Sequence, residues 1–462
     1  MNRTEILALV AMAFGVFMDG LDASIVNIAL PSIAESFGTD ANSVAWVTIT
    51  YFMMIAGLML TFGRLADSGH IKKIYICGFG LFTIASLMCG LSDDLTMLVA
   101  SRVVQGVGAA MLGAVAPMIC VKFLPESKLS TSMSVLMLSG AIGFGSGPAV
   151  GGIIIDMASW HWAFFINVPI GIIAILFALK ALPDDHDIDN AKLDLAGSAA
   201  LFITVITGVY VLEMFSRDDQ QMICTIMGIV MVISLILFII LEKRARHPML
   251  NLGMFRDWRF DSSVLCYLIL NLVYMGISYV LPFYLTKELE LGYTFSGLLI
   301  LVPSLVVIAI SLPTGRYADV HGRRMLSLIS TSCLLLSSIG YYMINPDLGW
   351  WPFIPIGILS GIVWGLCGAS VASRIVDLAP ESERGMASTL SNFLYYTGGS
   401  VGTALFASLV TFGSGTSGIP IDLISPVEFM DGYVFAMLIA VFISIFAIIT
   451  AWIIDEKKIN PA

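Results

Sequence analysis

Apolar runs of about twenty residues, each closed by a short polar or charged break, recur along the whole chain. A helix needs about 20 apolar residues to cross about 30 Å of hydrocarbon. The runs predict fourteen spans, near 6–29, 44–65, 74–91, 95–121, 131–155, 162–182, 193–213, 221–241, 260–286, 294–316, 325–344, 351–374, 385–412 and 433–454. No stretch shows the ten-residue alternation of a membrane barrel strand, so helices are the expected solution.

The basic residues test this count. With the N-terminus on the cytoplasmic side and the side alternating, 20 of the 23 Lys and Arg residues fall in cytoplasmic segments. Only Arg217 and Lys287 fall in outer loops, and Arg102 lies within a span. One helix too many or too few would invert everything after it and destroy this bias. The expectation is a multi-pass protein of the cell (plasma) membrane with both termini cytoplasmic. The N-terminal run resembles a signal peptide, but it holds Asp19 and Asp22 and lacks a clear small-residue cleavage site. It reads as a retained first span.

The chain also repeats itself. Gly63-Arg64-Leu65-Ala66-Asp67 follows the second span, and Gly315-Arg316-Tyr317-Ala318-Asp319 follows the tenth, 252 residues later. Pro125-Glu126-Ser127 recurs as Pro380-Glu381-Ser382 at an offset of 255. The predicted organisation is an N-terminal six-helix bundle (1–182), a linker with two extra transmembrane helices (183–250) and a C-terminal six-helix bundle (251–462). Parallel halves of this kind rock about a site at mid-membrane depth.

Composition narrows the function classes. The chain is 58% hydrophobic and 12% charged, half the charge of a soluble domain, so a lipid bilayer is its main solvent. A net charge of −10 and the lack of any Lys/Arg cluster exclude nucleic acid as a partner. The seven Cys occur singly, mostly in apolar runs, and read as small buried hydrophobes. No metal site is expected: the acidic stretch from Asp184 to Asp189 fits no cation cage and reads as a solvated linker. No HExxH, intramembrane nucleophile–base pair or GxxxxGK loop is present, so the chain is not expected to be an enzyme or to use ATP directly.

Three ionisable residues lie well inside spans: Asp19, Asp22 and Arg102. Each costs roughly 2.5–3.5 kcal/mol or more at the bilayer centre, so such residues face a polar cavity or each other. Asp19 and Asp22, three apart, share a helical face. Asp22 lies roughly 24 Å and Arg102 roughly 20 Å from the inner edge, at about 1.5 Å of rise per residue. A contact between them is feasible. It would serve as a fixed ion pair or as a titrating site, because burial favours a neutral acid while a guanidinium favours the carboxylate. Two carboxylates against one Arg leave a net negative charge, which suits a cationic or neutral lipophilic compound.

Gly143, Gly147 and Gly151, with Pro148 and Gly152 beside them, form a small-residue stripe on span five. Span twelve carries Gly357, Gly361 and Gly365. Such stripes let helices approach closely, as packing or as a sliding seam. On span nine, Tyr267, Asn271, Tyr274 and Ser278 form a polar-aromatic face. It would line a substrate cavity or bond to another helix. Asn392 and Tyr396 in span thirteen, and Trp46 and Thr50 in span two, are further candidates. Trp160, His161 and Trp162 fall at an outer boundary, where an aromatic belt explains the tryptophans.

The Gly63–Asp67 loop with Lys72 and Lys73, and the Gly315–Asp319 loop with Gly322, Arg323 and Arg324, resemble the signature of the major facilitator superfamily. In the first copy His70 and Ile71 stand where Gly and Arg are usual. Leu21-Asp22-Ala23-Ser24-Ile25-Val26-Asn27-Ile28-Ala29-Leu30-Pro31 resembles the first-span motif of its fourteen-span drug:proton antiporters. Arg102-Val103-Val104-Gln105-Gly106-Val107-Gly108 resembles the fourth-span motif, whose Arg is tied to proton coupling. Gly147-Pro148-Ala149-Val150-Gly151-Gly152 resembles the antiporter motif, and the block from Trp160 to Gly171 resembles that branch's sixth span. Asp19 is not part of the usual pattern.

The resemblance implies an all-α polytopic fold of two six-helix bundles plus two inserted helices. It implies a proton-coupled multidrug efflux antiporter, acting as a monomer by alternating access, with protons and a small lipophilic compound as partners. Asp22 and Arg102 are expected to carry proton coupling. Asp19, Asp22, Trp46, Tyr267, Asn271, Tyr274, Asn392 and Tyr396 are expected to contact substrate. Gating is expected at Gly63, Arg64, Asp67, Gly147, Pro148, Gly151, Gly152, Gly315, Arg316, Asp319 and Arg323. No cofactor is expected; the proton gradient supplies the energy. A proton-coupled or uniport carrier of a metabolite, lipid or siderophore is the alternative.

Overall fold

Backbone amides in hydrocarbon find no water, so a spanning chain must satisfy them internally. In the computed structural model the described residues are 3–39, 41–184, 194–214, 221–245, 248, 250–416 and 424–453. Among them helices account for every long element: α1 (Arg3–Phe37), α2 (Ala41–Leu65), α3 (Ile71–Gly90), α4 (Leu95–Lys122), α5 (Leu129–Met157), α6 (Asn167–Ala181) and α7 (Leu195–Met214). They continue as α8 (Gln221–Arg244), α9 (Trp258–Phe283), α10 (Tyr293–His321), α11 (Arg324–Met343), α12 (Phe353–Cys367), α13 (Arg384–Gly413) and α14 (Pro426–Ile453). No strand occurs among the described residues. Most of the acidic stretch, at 185–189, lies outside them.

Thirteen continuous helical stretches among the described residues are long and apolar enough to cross a membrane. One of them, Trp46–Gly90, is 45 residues long and contains both α2 and α3. It is interrupted by the π-helical turn Ala66–His70, inside which Gly69 takes φ 99°. Counted as two crossings, it yields the fourteen spans that the apolar runs predict.

In the first loop His70 stands at the register of Gly322, 252 residues on. A glycine with positive φ stands one position before His70; Gly322 in the second loop also has positive φ (91°), but its ψ is 174° against 12° at Gly69. Only a residue without a Cβ adopts that backbone cheaply. Two helix starts carry side-chain caps: Asp94 accepts from the Met97 amide (2.8 Å) ahead of α4, and Asp257 from the Arg259 amide (2.9 Å) ahead of α9.

The chain forms two compact units. The first comprises Met1–Phe202, Leu237–Asn251 and Glu381–Phe393; the second comprises Ile203–Ile236, Leu252–Pro380 and Leu394–Ala462. In the first, α1 packs along α5, and α4 packs along both α2 and α3. In the second, α10 packs along α12, α11 along α12 and α14, and α9 along α14. On α8, Ile226, Ile229, Ile233 and Ile236 are each at least half exposed, which makes a face fit only for acyl chains.

Glycines set the closest approaches. A Cβ at Gly143 would meet the Phe17 carbonyl, and one at Gly147 would meet the Ser24 side chain, so α5 lies against the backbone of α1. Gly106 of α4 lies against Tyr51 and Met54 of α2 in the same way. In the second unit, Gly361 of α12 meets Pro303 and Val306 of α10, while Gly398 and Gly402 of α13 meet Leu268, Asn271 and Leu272 of α9. The 255-residue offset therefore pairs Gly143 with Gly398, Gly147 with Gly402 and Gly106 with Gly361. The span-twelve stripe is the counterpart of Gly106, and the counterpart of the span-five stripe lies on α13.

Candidate functional site

The first unit encloses a charged cluster around Asp22 and Arg102. Gly20 of α1 faces the Gly140 carbonyl of α5, and Gly143 and Gly147 face the next turns of α1. With α5 holding one side of α1, Asp22 faces inward. Leu21, Ile25, Val26 and Ala29 pack there with Val47, Leu98, Trp160 and Phe164 as an apolar sleeve.

Asp22 and Arg102 have no exposed surface. Arg102 Nη1 donates to Asp22 Oδ2 at 2.7 Å and to Gln105 Oε1 at 2.6 Å, and Nε donates to the Val47 carbonyl at 2.9 Å. Asp22 Oδ1 accepts from Gln105 Nε2 (2.9 Å) and from Asn167 Nδ2 (2.6 Å). Gln105 Nε2 also donates to Ser86 Oγ at 2.9 Å. The guanidinium carbon sits 4.0 Å from the centroid of Tyr51 and 5.8 Å from that of Phe164, a cation–π sandwich that keeps the charge out of water. Five helices, α1, α2, α3, α4 and α6, thus meet in one polar cluster, of which α4 and α6 bond directly to the carboxylate. The expected Asp22–Arg102 contact is made.

Asp19, one turn earlier on α1, is half-buried. Its Oδ1 accepts from the Tyr51 hydroxyl at 2.6 Å. Tyr51 therefore touches both acids' surroundings: its face lies under Arg102 and its hydroxyl holds Asp19. Trp46 is half-buried on α2, and its carbonyl accepts from Thr50 Oγ1 (2.7 Å).

The remaining candidates separate into packed and open positions. Tyr267 and Asn271 are buried, with Asn271 Nδ2 donating to the Tyr267 carbonyl at 2.7 Å and its Cβ against Gly398. Tyr274 and Tyr396 are half-buried. Asn392 Nδ2 donates to the Gly113 carbonyl at 2.6 Å, and Thr389 Oγ1 donates to that of Ala114 at 3.1 Å, tying the first turns of α13 to α4.

The Gly63–Asp67 loop joins this contact. Thr389 fills the space a Cβ on Gly63 would need, and Gly385 lies against Asp67. Asp67, nearly buried, pairs with Lys122 at 3.0 Å and Arg64 at 3.6 Å, while Arg384 pairs with Glu126 at 2.6 Å. In the second loop Arg323 pairs with Asp377, whereas Arg316 is exposed and Gly315 buried. Burial lowers Arg323 to about 10, against Asp319 one turn away, with Arg374 adding to the lowering. Gly151 lies beside Ile25. The side chains of Pro148 and Gly152 lie outside the described residues, although both positions are in α5.

Several site residues carried no role in the sequence reading. Gln105 stands three residues after Arg102, which puts it on the same helical face. Asn167 is the one polar residue between Trp162 and Ile173. Those spacings were available signals. Nothing local marks Tyr51 or Ser86, whose partners are distant in sequence. Among the described residues no group of three His, Cys, Asp or Glu side chains gathers as metal ligands would.

The relatives agree with this architecture. The riboflavin transporter RibZ of Clostridioides difficile (strain 630) is 29% identical over 403 residues, covering 87% of each chain. The "Putative multidrug resistance protein MdtD" of Escherichia coli O139:H28 (strain E24377A / ETEC) is 29% identical over 414 residues, covering 87% of this chain and 86% of that one. Among solved structures, the human organic anion transporter MFSD10 (TETRAN) superposes with a TM-score of 0.66 at 14% identity, covering 96% of this chain and all of that one. That likeness establishes the fold. The model of the Major Facilitator Superfamily matches residues 12–403, and the chain belongs to that superfamily: it is a multi-pass membrane transporter of small molecules, not an enzyme.

Proposed function

We propose that this transporter is a proton-coupled multidrug efflux antiporter of the fourteen-span drug:proton branch. It exports lipophilic, cationic compounds across the cell membrane by alternating access, as a monomer with both termini in the cytoplasm. The proton gradient is its energy source, and no cofactor takes part. The bundles 1–182 and 251–462 rock about a central site at mid-membrane depth, and the inserted helices of 183–250 are peripheral to them.

The observation that carries this reading is the enclosed Asp22–Arg102 contact, 2.7 Å long and fixed by Gln105 and Asn167. An ion pair this deep contributes little net stability, because desolvation offsets its attraction. Its value lies in exchange. Protonating Asp22 dissolves the pair and leaves Arg102 to the Val47 carbonyl and the Tyr51 face. That coupling of a proton to a helix–helix contact is what an antiporter needs. Asp19, half-buried and joined to Tyr51, offers the cation a carboxylate beside the sealed one. The MdtD relatives support a drug as cargo.

A second reading has its own support: RibZ, similar over the same length, is named as a riboflavin transporter, which favours a metabolite carrier. Proteoliposomes with an imposed pH gradient separate the two. The proposal expects ethidium transport driven by the gradient, competition between ethidium and protons, and loss of gradient-driven transport in Asp22→Asn. Full pH-driven transport by Asp22→Asn would end the coupling assignment. Gradient-driven movement of neutral metabolites without ethidium transport would favour the second reading.

A further inference from the structure

The second unit holds an aromatic group that the proton-exchange scheme does not use. The Tyr274 and Trp364 rings lie 4.3 Å apart, Trp364 and Tyr395 5.5 Å, and Tyr395 and Tyr396 5.0 Å. All four side chains are half-buried, and they come from three helices, α9, α12 and α13.

Their open surface does not face lipid. Between Arg259 and Phe283 of α9 only Leu265 is exposed, and between Arg384 and Thr411 of α13 no residue is. A half-buried ring on a helix with almost no exposed face opens onto interior space. On α12 the exposed positions Ile354, Pro355 and Ile358 define the outer face. Trp364, six residues beyond Ile358, is turned about 120° from it at about 100° per residue.

The group is also uncharged. Residues 262–286, 353–373 and 385–421 contain no Asp, Glu, Lys, Arg or His. The internal repeat sharpens the contrast. The 252-residue offset of the duplicated loop places Tyr274 at the position of Asp22 and Asn271 at that of Asp19. The 255-residue offset places Gly357 at that of Arg102. Where the first unit has two acids and a guanidinium, the second has a phenol, an amide and a residue with no side chain. Two polar tips there are uncommitted: among the described residues neither the Trp364 indole N–H nor the Tyr274 hydroxyl has a hydrogen-bond partner, and neither is sealed.

We infer that Tyr274, Trp364, Tyr395 and Tyr396 form a ligand site for a planar heteroaromatic ring system, whether or not the ligand also carries a charge. It is held by stacking and oriented by the indole N–H and the phenol. This rests on the reading of the chain as a carrier of lipophilic compounds and specifies their chemistry. Aromatic rings gain by offset or edge-to-face contact, and heteroatoms at the rim of a ligand would accept from the two open donors. Charge is recognised elsewhere, at Asp19, so the ring site is indifferent to it.

The test is equilibrium binding to the full-length protein in detergent, at fixed pH and without a gradient. The probes are acridone (neutral, planar), N-methylacridinium (its planar cationic counterpart) and tetraphenylphosphonium (a cation with no extended plane). Acridone should bind. Trp364→Ala should weaken both planar probes by about tenfold, the scale of one lost stacking partner, and leave tetraphenylphosphonium unchanged. Trp364→Phe should retain most of the affinity. Thermal unfolding accompanies each variant; should Trp364→Ala fail to fold, Tyr395→Ala on another helix provides the same comparison. Failure of wild type to bind acridone, or unaltered planar binding in the folded alanine variant, overturns the inference. Without a gradient, these results are independent of the Asp22 coupling test, so either idea can fail alone.

Discussion

Removing either half of the Asp22–Arg102 pair should cost far more than the pair itself contributes. In Asp22→Asn the guanidinium keeps the Val47 carbonyl, Gln105 Oε1 and the Tyr51 face, but no counter-charge, with no exposed surface. In Arg102→Met the carboxylate keeps two amide donors, Gln105 and Asn167, and no cation. A lone buried charge of this kind costs about 3–5 kcal/mol. The double variant has no charge to strand. It should lose only unsatisfied amide contacts, about 1–3 kcal/mol, so the coupling in the cycle should be several kcal/mol. Unfolding of wild type, both single variants and the double variant, measured in one detergent, gives that coupling. Single-variant losses that add to within about 0.5 kcal/mol would refute the idea that the pair is one unit walled off from water.

Gly147→Ala should destabilise by about 1–3 kcal/mol through overpacking, because its Cβ would overlap the Ser24 side chain; Gly80→Ala, with nothing within 4 Å, should be neutral or slightly stabilising by unfolding in the same detergent. At the start of a membrane-spanning helix His161 stacks on Trp160 with centroids 3.7 Å apart, and partial burial lowers its pKa against the opposing pull of Asp93. Its neutral form contributes stability that is present above the ordinary value of about 6.5 and is lost as pH falls through the lowered value. His161→Gln should therefore flatten that part of the melting temperature against pH, and an unchanged profile would count against it.

The helices were legible because hydrocarbon leaves a backbone few options, and the charge bias fixed their number. The loop at Asp67 was legible for the same reason that it recurs: it is short, polar and duplicated. What one dimension concealed was partnership. Arg102 was visible as an expensive residue, but not that Gln105 would hold both ends of the pair, since that needs the rotation of α4 against α1. The span-nine stripe read as one surface; in three dimensions Gly398 presses on Asn271 while Tyr274 stays open. Trp364 lay among isoleucines and glycines and gave no signal, because its meaning comes from Tyr274 and Tyr395 on other helices.

Inside the sealed cluster two polar atoms have no partner among the described residues: Arg102 Nη2 and Asn167 Oδ1. One is a spare donor and the other a spare acceptor. Should Asp22 take up a hydrogen, its new O–H needs somewhere to point, and an amide that turns over can present its oxygen. A second bonding pattern is therefore available without importing a new group, in which a swivel of Asn167 lets its oxygen accept from the protonated acid.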